Sequence, residues 1–329
     1  MDAPFADRSQ PVVVPAGRGH RRGVFPCGRW LQWTVLPMLV ALLCAGCGTF
    51  APPGERLTSL PGLSGLAWVG GDQFVAVHDA KGEGAEAQWN RVSLLRLPRS
   101  KAEGLVRTPL SVRFPGRVAR DLEAAGPIPG GGLLFAESGQ KGERARLFFA
   151  RLVDGALVMD AAVPWPFAVD NVEAVEVGRL GDQLVLLAAE RGREQASTTL
   201  RWATLELDPV RFGPAAGIDW PALDPLGPRA RAVFALTLDP AGRILVASTL
   251  DPGEHGPFRS VVWRIGVLCA DADGRPQVRL EEPVRIATLD GGKIESLAVR
   301  TTAAGGTQLF AGTDDEHYGG LFRPLPAAD

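Results

Sequence analysis

The stretch NVEAVEVGRLGDQLVLLAAERG, residues 171–192, holds two apolar runs separated by a Gly-Asp turn. Each run is the length of a strand, is rich in Val and Leu, and is bounded by turn residues. Gly181-Asp182 supplies the left-handed backbone that a tight hairpin requires. The first run opens on polar residues, Asn171 and Glu173, and the second closes on Glu190 and Arg191.

The same unit recurs on both sides of this stretch. LSGLAW (63–68) leads to FVAVHDAKG (74–82), and DLEAAG (121–126) to LLFAESGQKG (133–142). VFALTL (233–238) leads to ILVASTLDPG (244–253), and KIESLAV (293–299) to LFAGTDDEH (309–317). The starts at Ser64, Glu123, Glu173, Phe234 and Glu295 lie 59, 50, 61 and 61 residues apart. A third apolar run follows in every copy, and a weaker fourth in all but the last. Repeats of four antiparallel strands predict an all-β fold, a β-propeller of five four-stranded blades, with a six-bladed ring as the alternative. Only Pro326 to Asp329 follow the third run of the last copy. Residues 56–60 are therefore expected to supply its missing strand, closing the ring and covering a sheet edge.

Residues 1–47 read as a targeting segment. Arg18, His20, Arg21, Arg22 and Arg29 precede the apolar stretch Trp30–Leu43 and then Cys44-Ala45-Gly46-Cys47. Small residues before a Cys, after an apolar run too short to span a bilayer, resemble a bacterial lipoprotein signal with Cys47 as the lipidated residue. The expected organisation is a signal at 1–47, a Pro/Gly tether at 48–56 and one propeller domain at 57–329. The expected location is the periplasm-facing cell envelope, held by lipid at the outer membrane, because Gly48-Thr49 lacks the inner-membrane Asp signal. Once the signal is removed and Cys47 acylated, Cys269 is the one remaining thiol, which leaves no internal disulfide. The net charge is −2 and the repeats carry no basic run, which excludes a nucleic-acid groove. A monomer is expected.

In an antiparallel hairpin the start of one strand lies beside the end of the next. Ser64 therefore neighbours His78 and Asp79, while Asp121 and Glu123 neighbour Glu137 and Ser138. Asn171 and Glu173 neighbour Glu190 and Arg191, and Phe234 neighbours Thr249 and Asp251. Lys293 and Glu295 neighbour Thr313, Asp314 and Asp315. All five groups should share one rim of the central channel. His78, Asp79, Glu137, Glu190, Arg191, Lys293, Asp314, Asp315 and His317 are the candidate ligand-binding residues, since binding groups concentrate on loops of a rigid frame. Crowded carboxylates need protons, basic partners or a hard cation. Calcium is the cation expected, with Asp121, Glu123, Glu173, Glu295 and Asp314 as ligands. Zinc is disfavoured because His78, His255 and His317 are dispersed in sequence. The alternative for the strand-start glutamates is structural, as caps on backbone amides.

The motifs LSGLAW, RDLEA, NVEAVEV, LTLDPAGRILVAS and KIESLAV with GTDDEHYGG resemble the phytase-like β-propeller family across about residues 60–325. That resemblance implies a calcium-dependent phosphoric ester hydrolase, or a relative without catalysis. Asp121, Glu123, Glu173 and Glu295 would then be catalytic carboxylates, and Arg191 and Lys293 would face phosphate. Phe234 departs from the pattern, as do Ala124, Ala174 and Ser296, which replace the Gly after Glu. The sequence leaves three readings open. The first is a lipid-anchored protein binding a small polar or anionic ligand at the rim. The second is the phosphoesterase, and the third is a scaffold for envelope proteins.

Overall fold

Strands that are apolar on both faces need cover on both, and each strand pair here finds it between two neighbouring sheets. The computed structural model describes residues 55–56, 60–78, 91–100, 102–139, 145–191, 197–221, 223, 226–227 and 229–326. Within them the repeats form five antiparallel sheets, the blades of a five-bladed β-propeller. The six-bladed alternative is ruled out. Cys47, Asp79 and Lys81 lie outside the described residues.

Blade 1 comprises Gly65–Gly70, Gln73–Val77, Val92–Arg96 and Val106–Pro109. Blade 2 comprises Leu122–Pro127, Leu133–Glu137, Arg146–Val153 and Ala156–Pro164. In blade 3, Val172–Leu180, Gln183–Glu190 and Thr198–Leu207 are followed by two short strands, Val210–Phe212 and Ala216–Trp220, which share the outer edge. Blade 4 comprises Ala230–Leu238, Arg243–Leu250, Arg259–Ala270 and Pro276–Asp290. Blade 5 has three strands, Ile294–Thr301, Thr307–Thr313 and Phe322–Pro324. Leu60 takes its fourth position as a single antiparallel bridge to Gly320. The closing strand expected at 56–60 is thus reduced to one residue pair among the described residues. Glu55–Arg56 instead pairs with Val106 and Arg107 of blade 1.

The ring holds together through apolar seams, one between each pair of neighbouring blades. The seam that closes the circle joins Leu60, Leu63, Leu66 and Phe74 to Ala298 and Phe310. Phe74, Phe310 and Phe322 meet there with ring centroids 4.8–5.2 Å apart. Ser296 donates to the Leu63 carbonyl at 2.8 Å, and Arg300 pairs with Asp72 across the same seam.

Inner strands meet closely at the axis, and small residues allow it. A Cβ on Gly65 would lie 2.6 Å from the Ala125 backbone nitrogen. One on Gly126 would lie 2.9 Å from the Val175 carbonyl oxygen. The obstacles are backbone atoms of the next blade, which cannot swing aside. Gly65→Ala should therefore cost about 1–3 kcal/mol through overpacking. Thermal unfolding followed by circular dichroism should show a clear fall in Tm, and an unchanged Tm would mean the blades are less tightly joined than described.

Candidate functional site at the channel rim

Each strand-start residue in blades 2, 3 and 5 sits in an irregularity of its hairpin. The register slips between Leu122 and Ala124, Val172 and Ala174, and Ile294 and Ser296, leaving Glu123, Glu173 and Glu295 as the extra residues. A bulge re-aims a side chain that would otherwise alternate into a seam. In blade 4 the slip spans Arg231 to Ala235 and contains Phe234. Asp121 and Asn171, each two residues before a bulged glutamate, adopt left-handed backbone with φ of 49° and 59°. Asp and Asn tolerate that region better than most residues.

The bulges bring blades 3, 4 and 5 together around a mixed cluster of charges. Arg191 Nε lies 3.3 Å from Glu173 Oε1, which also accepts from Asn171 Nδ2 at 2.9 Å. Lys293 Nζ lies 2.8 Å from Glu295 and 2.6 Å from Glu316. Phe234 is fully buried beneath these cations. Arg191 and Lys293 stand 5.4 and 5.6 Å from its ring centroid, within cation–π range. The sequence made Phe234 look like a gap in the polar ring, whereas its ring is the platform for two cations.

Burial dominates the electrostatics. It raises Glu173 from the ordinary 4.5 to about 7, against the pull of Arg191 and Lys293 and with a push from Asp121. It raises Glu295 to about 8, against Lys293, with Asp314 and Glu173 adding repulsion. Burial alone would discharge Lys293, but Glu295 and Glu316 outweigh it and hold the ammonium above its ordinary range. Arg191 is likewise held charged by Glu173, Glu295, Asp251 and Glu123, which overcome its burial. Two carboxyls that titrate near neutrality can take up or release protons at physiological pH.

Several expected site residues are consumed by structure. Glu137 is buried and accepts a bidentate pair from Arg117 at 2.7 and 2.8 Å. It also takes the Arg120 and Arg146 backbone amides at 2.8 and 2.9 Å and the Arg146 guanidinium. Such a carboxylate has no lone pair left for a ligand. Buried His78 uses both ring nitrogens, Nδ1 at 2.9 Å from the Gly62 carbonyl and Nε2 at 2.6 Å from the Ser93 hydroxyl. A carbonyl only accepts, so Nδ1 carries the hydrogen and Nε2 accepts from Ser93. Burial lowers His78 from 6.5 to about 4, with Arg107 nearby adding to the effect, and the ring is neutral. Asp315 accepts from the Lys293 amide at 2.6 Å and from Thr313 at 2.8 Å, capping the blade-5 hairpin. Burial raises its carboxyl. Glu190 turns outward to Arg201, 3.5 Å away. Asp314 packs over Gly62 and accepts the Glu316 amide at 3.1 Å.

The carboxylates expected to hold calcium have other partners. Glu173 and Glu295 face cations, and Asp121 accepts from Ser138. Among the described residues, the group close enough to hold a metal ion is Glu254, His255 and His317, which sequence distance had argued against.

Below the cluster the axis is nearly filled, leaving about 10 Å³ among Ser64, Ala124, Ala174, Ala235 and Ser296. A larger cavity of about 890 Å³ opens at the opposite mouth, by the hairpin turns. Its walls are mainly apolar, with buried Glu176 at its inner end. Thr237 donates to Glu176 at 2.8 Å, and burial raises its carboxyl to about 8. Sequence reasoning passed over Glu176. Its signal was a charged residue within an otherwise apolar inner strand. The larger space and the denser chemistry thus lie at opposite ends. The rim is the stronger candidate, because several ionisable groups from three blades converge there.

No family model and no curated protein sequence matches this chain. Solved structures of similar shape include an exo-1,5-α-L-arabinanase from a bovine ruminal metagenomic library. It is 12% identical, with a TM-score of 0.48, and the match covers 81% of this chain and 94% of that one. An endo-arabinanase from Bacillus licheniformis is 12% identical, covering 83% and 96%, with a TM-score of 0.45. An α-L-arabinofuranosidase from Clostridium thermocellum is 10% identical, covering 82% and 90%, with a TM-score of 0.44. Similarity this low bears on no activity. The expected membership of the phytase-like family is corrected: no family model matches the chain, and the solved structures of similar shape named above are not phytases. The motifs that suggested it are strand starts, an acidic residue before a short apolar run, which a propeller repeats for geometric reasons.

Two outcomes follow from these contacts. Glu137→Gln leaves Arg117 and Arg146 facing a neutral group and should destabilise the fold by about 3 kcal/mol, measured by denaturant unfolding. Glu176, Glu173 and Glu295 bind protons more tightly folded than unfolded. Their stabilisation is complete below pH 4.5 and is lost as pH rises through about 7–8. Glu176→Gln should flatten that fall, gaining on wild type at pH 8 and matching it near pH 4.5. Parallel stability curves for the two proteins would refute the assignment.

Proposed function

We propose that the rim between blades 3, 4 and 5 binds a small anionic ligand, with Arg191 as the principal contact. The carrying observation is the state of that guanidinium. Among the described residues its Nε lies 3.3 Å from Glu173 as an ion pair without a hydrogen bond, its plane lies near Phe234, and its terminal amino groups make no hydrogen bond. A planar guanidinium whose terminal amino groups are uncommitted matches a carboxylate or phosphate. Glu173 and Glu295, protonated, can donate to the same ligand, and Lys293 adds positive potential behind them. Lipid on Cys47 would hold this binding face within the cell envelope. The reading is of a binding protein, and no catalytic step is assigned.

Carboxylates around Arg191 make the site dependent on pH. An anion is accepted more readily while Glu173 and Glu295 carry protons, so affinity should fall as pH rises from 6 to 8.5. A panel of small carboxylates, phosphates and sugar acids, screened by thermal shift and followed by calorimetry, should contain a binder. Arg191→Ala should weaken it by about tenfold or more, the equivalent of one charged hydrogen bond. Absence of any binder, or affinity unchanged in the variant, would exclude this function. For the anchor, mass spectrometry of the mature protein should find acyl chains on Cys47, and Cys47→Ser should move it to the soluble fraction.

A further inference from the structure

We propose that Glu254, His255 and His317 form a site for one divalent transition-metal ion of the zinc class. His255 and His317 belong to different repeats, on loops that follow the second strands of blades 4 and 5. Because the blades are neighbours, the two loops meet above the seam. The three ligating atoms all lie within 4.8 Å of one another. His317 Nε2 is 3.1 Å from Glu254 Oε2, and the two imidazole centroids are 5.3 Å apart with their planes at 33°.

Two imidazoles and one carboxylate are a zinc-type donor set that leaves a coordination position open. Ligands around tetrahedral zinc stand about 3.4 Å apart, given bonds of about 2.1 Å. The three exposed side chains need to close by little more than an ångström, which rotamer adjustment supplies. Nitrogen donors discriminate against calcium, which takes oxygen ligands. A plain surface ion pair would need only Glu254 and His317. A second imidazole beside that pair adds repulsion whenever both rings are protonated, and adds a ligand when a metal is present.

The loops are fixed independently of any ion. Glu316–Tyr318 forms a 3₁₀ turn, and Glu316 is tied to Lys293 at 2.6 Å. Asp251 opens the other loop, and its amide donates to the Arg229 carbonyl at 3.2 Å. A preorganised site loses less entropy on binding. His317 adjoins Glu316, the carboxylate that holds Lys293 charged at the rim. A bound ion would therefore clamp the loop beside the anion site while taking no ligand from it.

The test is calorimetric titration of the full-length chain with Zn²⁺, together with Co²⁺ absorption spectra to report the donor atoms. One ion per chain at micromolar affinity or tighter is expected, with a nitrogen and oxygen spectrum and no competition from excess Ca²⁺. His317→Ala and His255→Ala should each weaken binding by at least about tenfold, since loss of a ligand's supporting partner alone costs that much. Both residues are exposed, so circular dichroism of the variants should match wild type. No binding, a thiolate spectrum, displacement by Ca²⁺, or equal affinity in wild type and His317→Ala would overturn the assignment.

Discussion

Five inner strands converge on one axis, and everything at the rim follows from how little room they leave. Gly65 and Gly126 let neighbouring backbones touch, and alanine and serine side chains nearly fill the channel beneath the charges. Side chains at the strand starts cannot disperse into solvent, so carboxylates from different blades enter one another's field. Burial of Glu173 and Glu295 limits how far solvent screens them. Protons and two cations do that work, which is why Glu173 and Glu295 titrate near neutrality while Arg191 and Lys293 stay charged.

Polar residues around the rim divide into two kinds. Glu137, His78 and Asp315 point back into their own blades and are saturated by amides, guanidinium groups or hydroxyls. They fix strand ends and exchange nothing with solvent. Glu173 and Glu295 project from bulges and pair with Arg191 and Lys293 of their own blades, and both cations reach across to Phe234 of blade 4. The bulge makes the difference, because it turns a strand-start side chain out of the seam. Phe234 shows the same constraint in apolar form. Its ring is fully buried, and two cations lie within cation–π range of it.

The sequence by itself determined the repeat, the hairpins and the rim on which the strand starts gather, and the closed ring settled five blades over six. Apolar periodicity and turn chemistry are local, and five copies of one pattern leave few ways to bury both faces of each strand. It also placed Glu173 beside Arg191 across one hairpin, with Lys293 and Glu295 on the same rim. Tertiary structure decided which polar residues were already spent. Glu137 meets Arg117 and Arg146 from other segments, and no spacing in the chain encodes that encounter. His255 and His317 are far apart in sequence and adjacent in space only because blades 4 and 5 are neighbours in the ring. Glu176 lay unnoticed in an apolar strand because its raised pKa comes from burial, against the hydrogen bond from Thr237. Local pattern fixes where strands start and stop. The charge, partner and accessibility of a side chain depend on the dielectric and the neighbours that only the closed ring supplies.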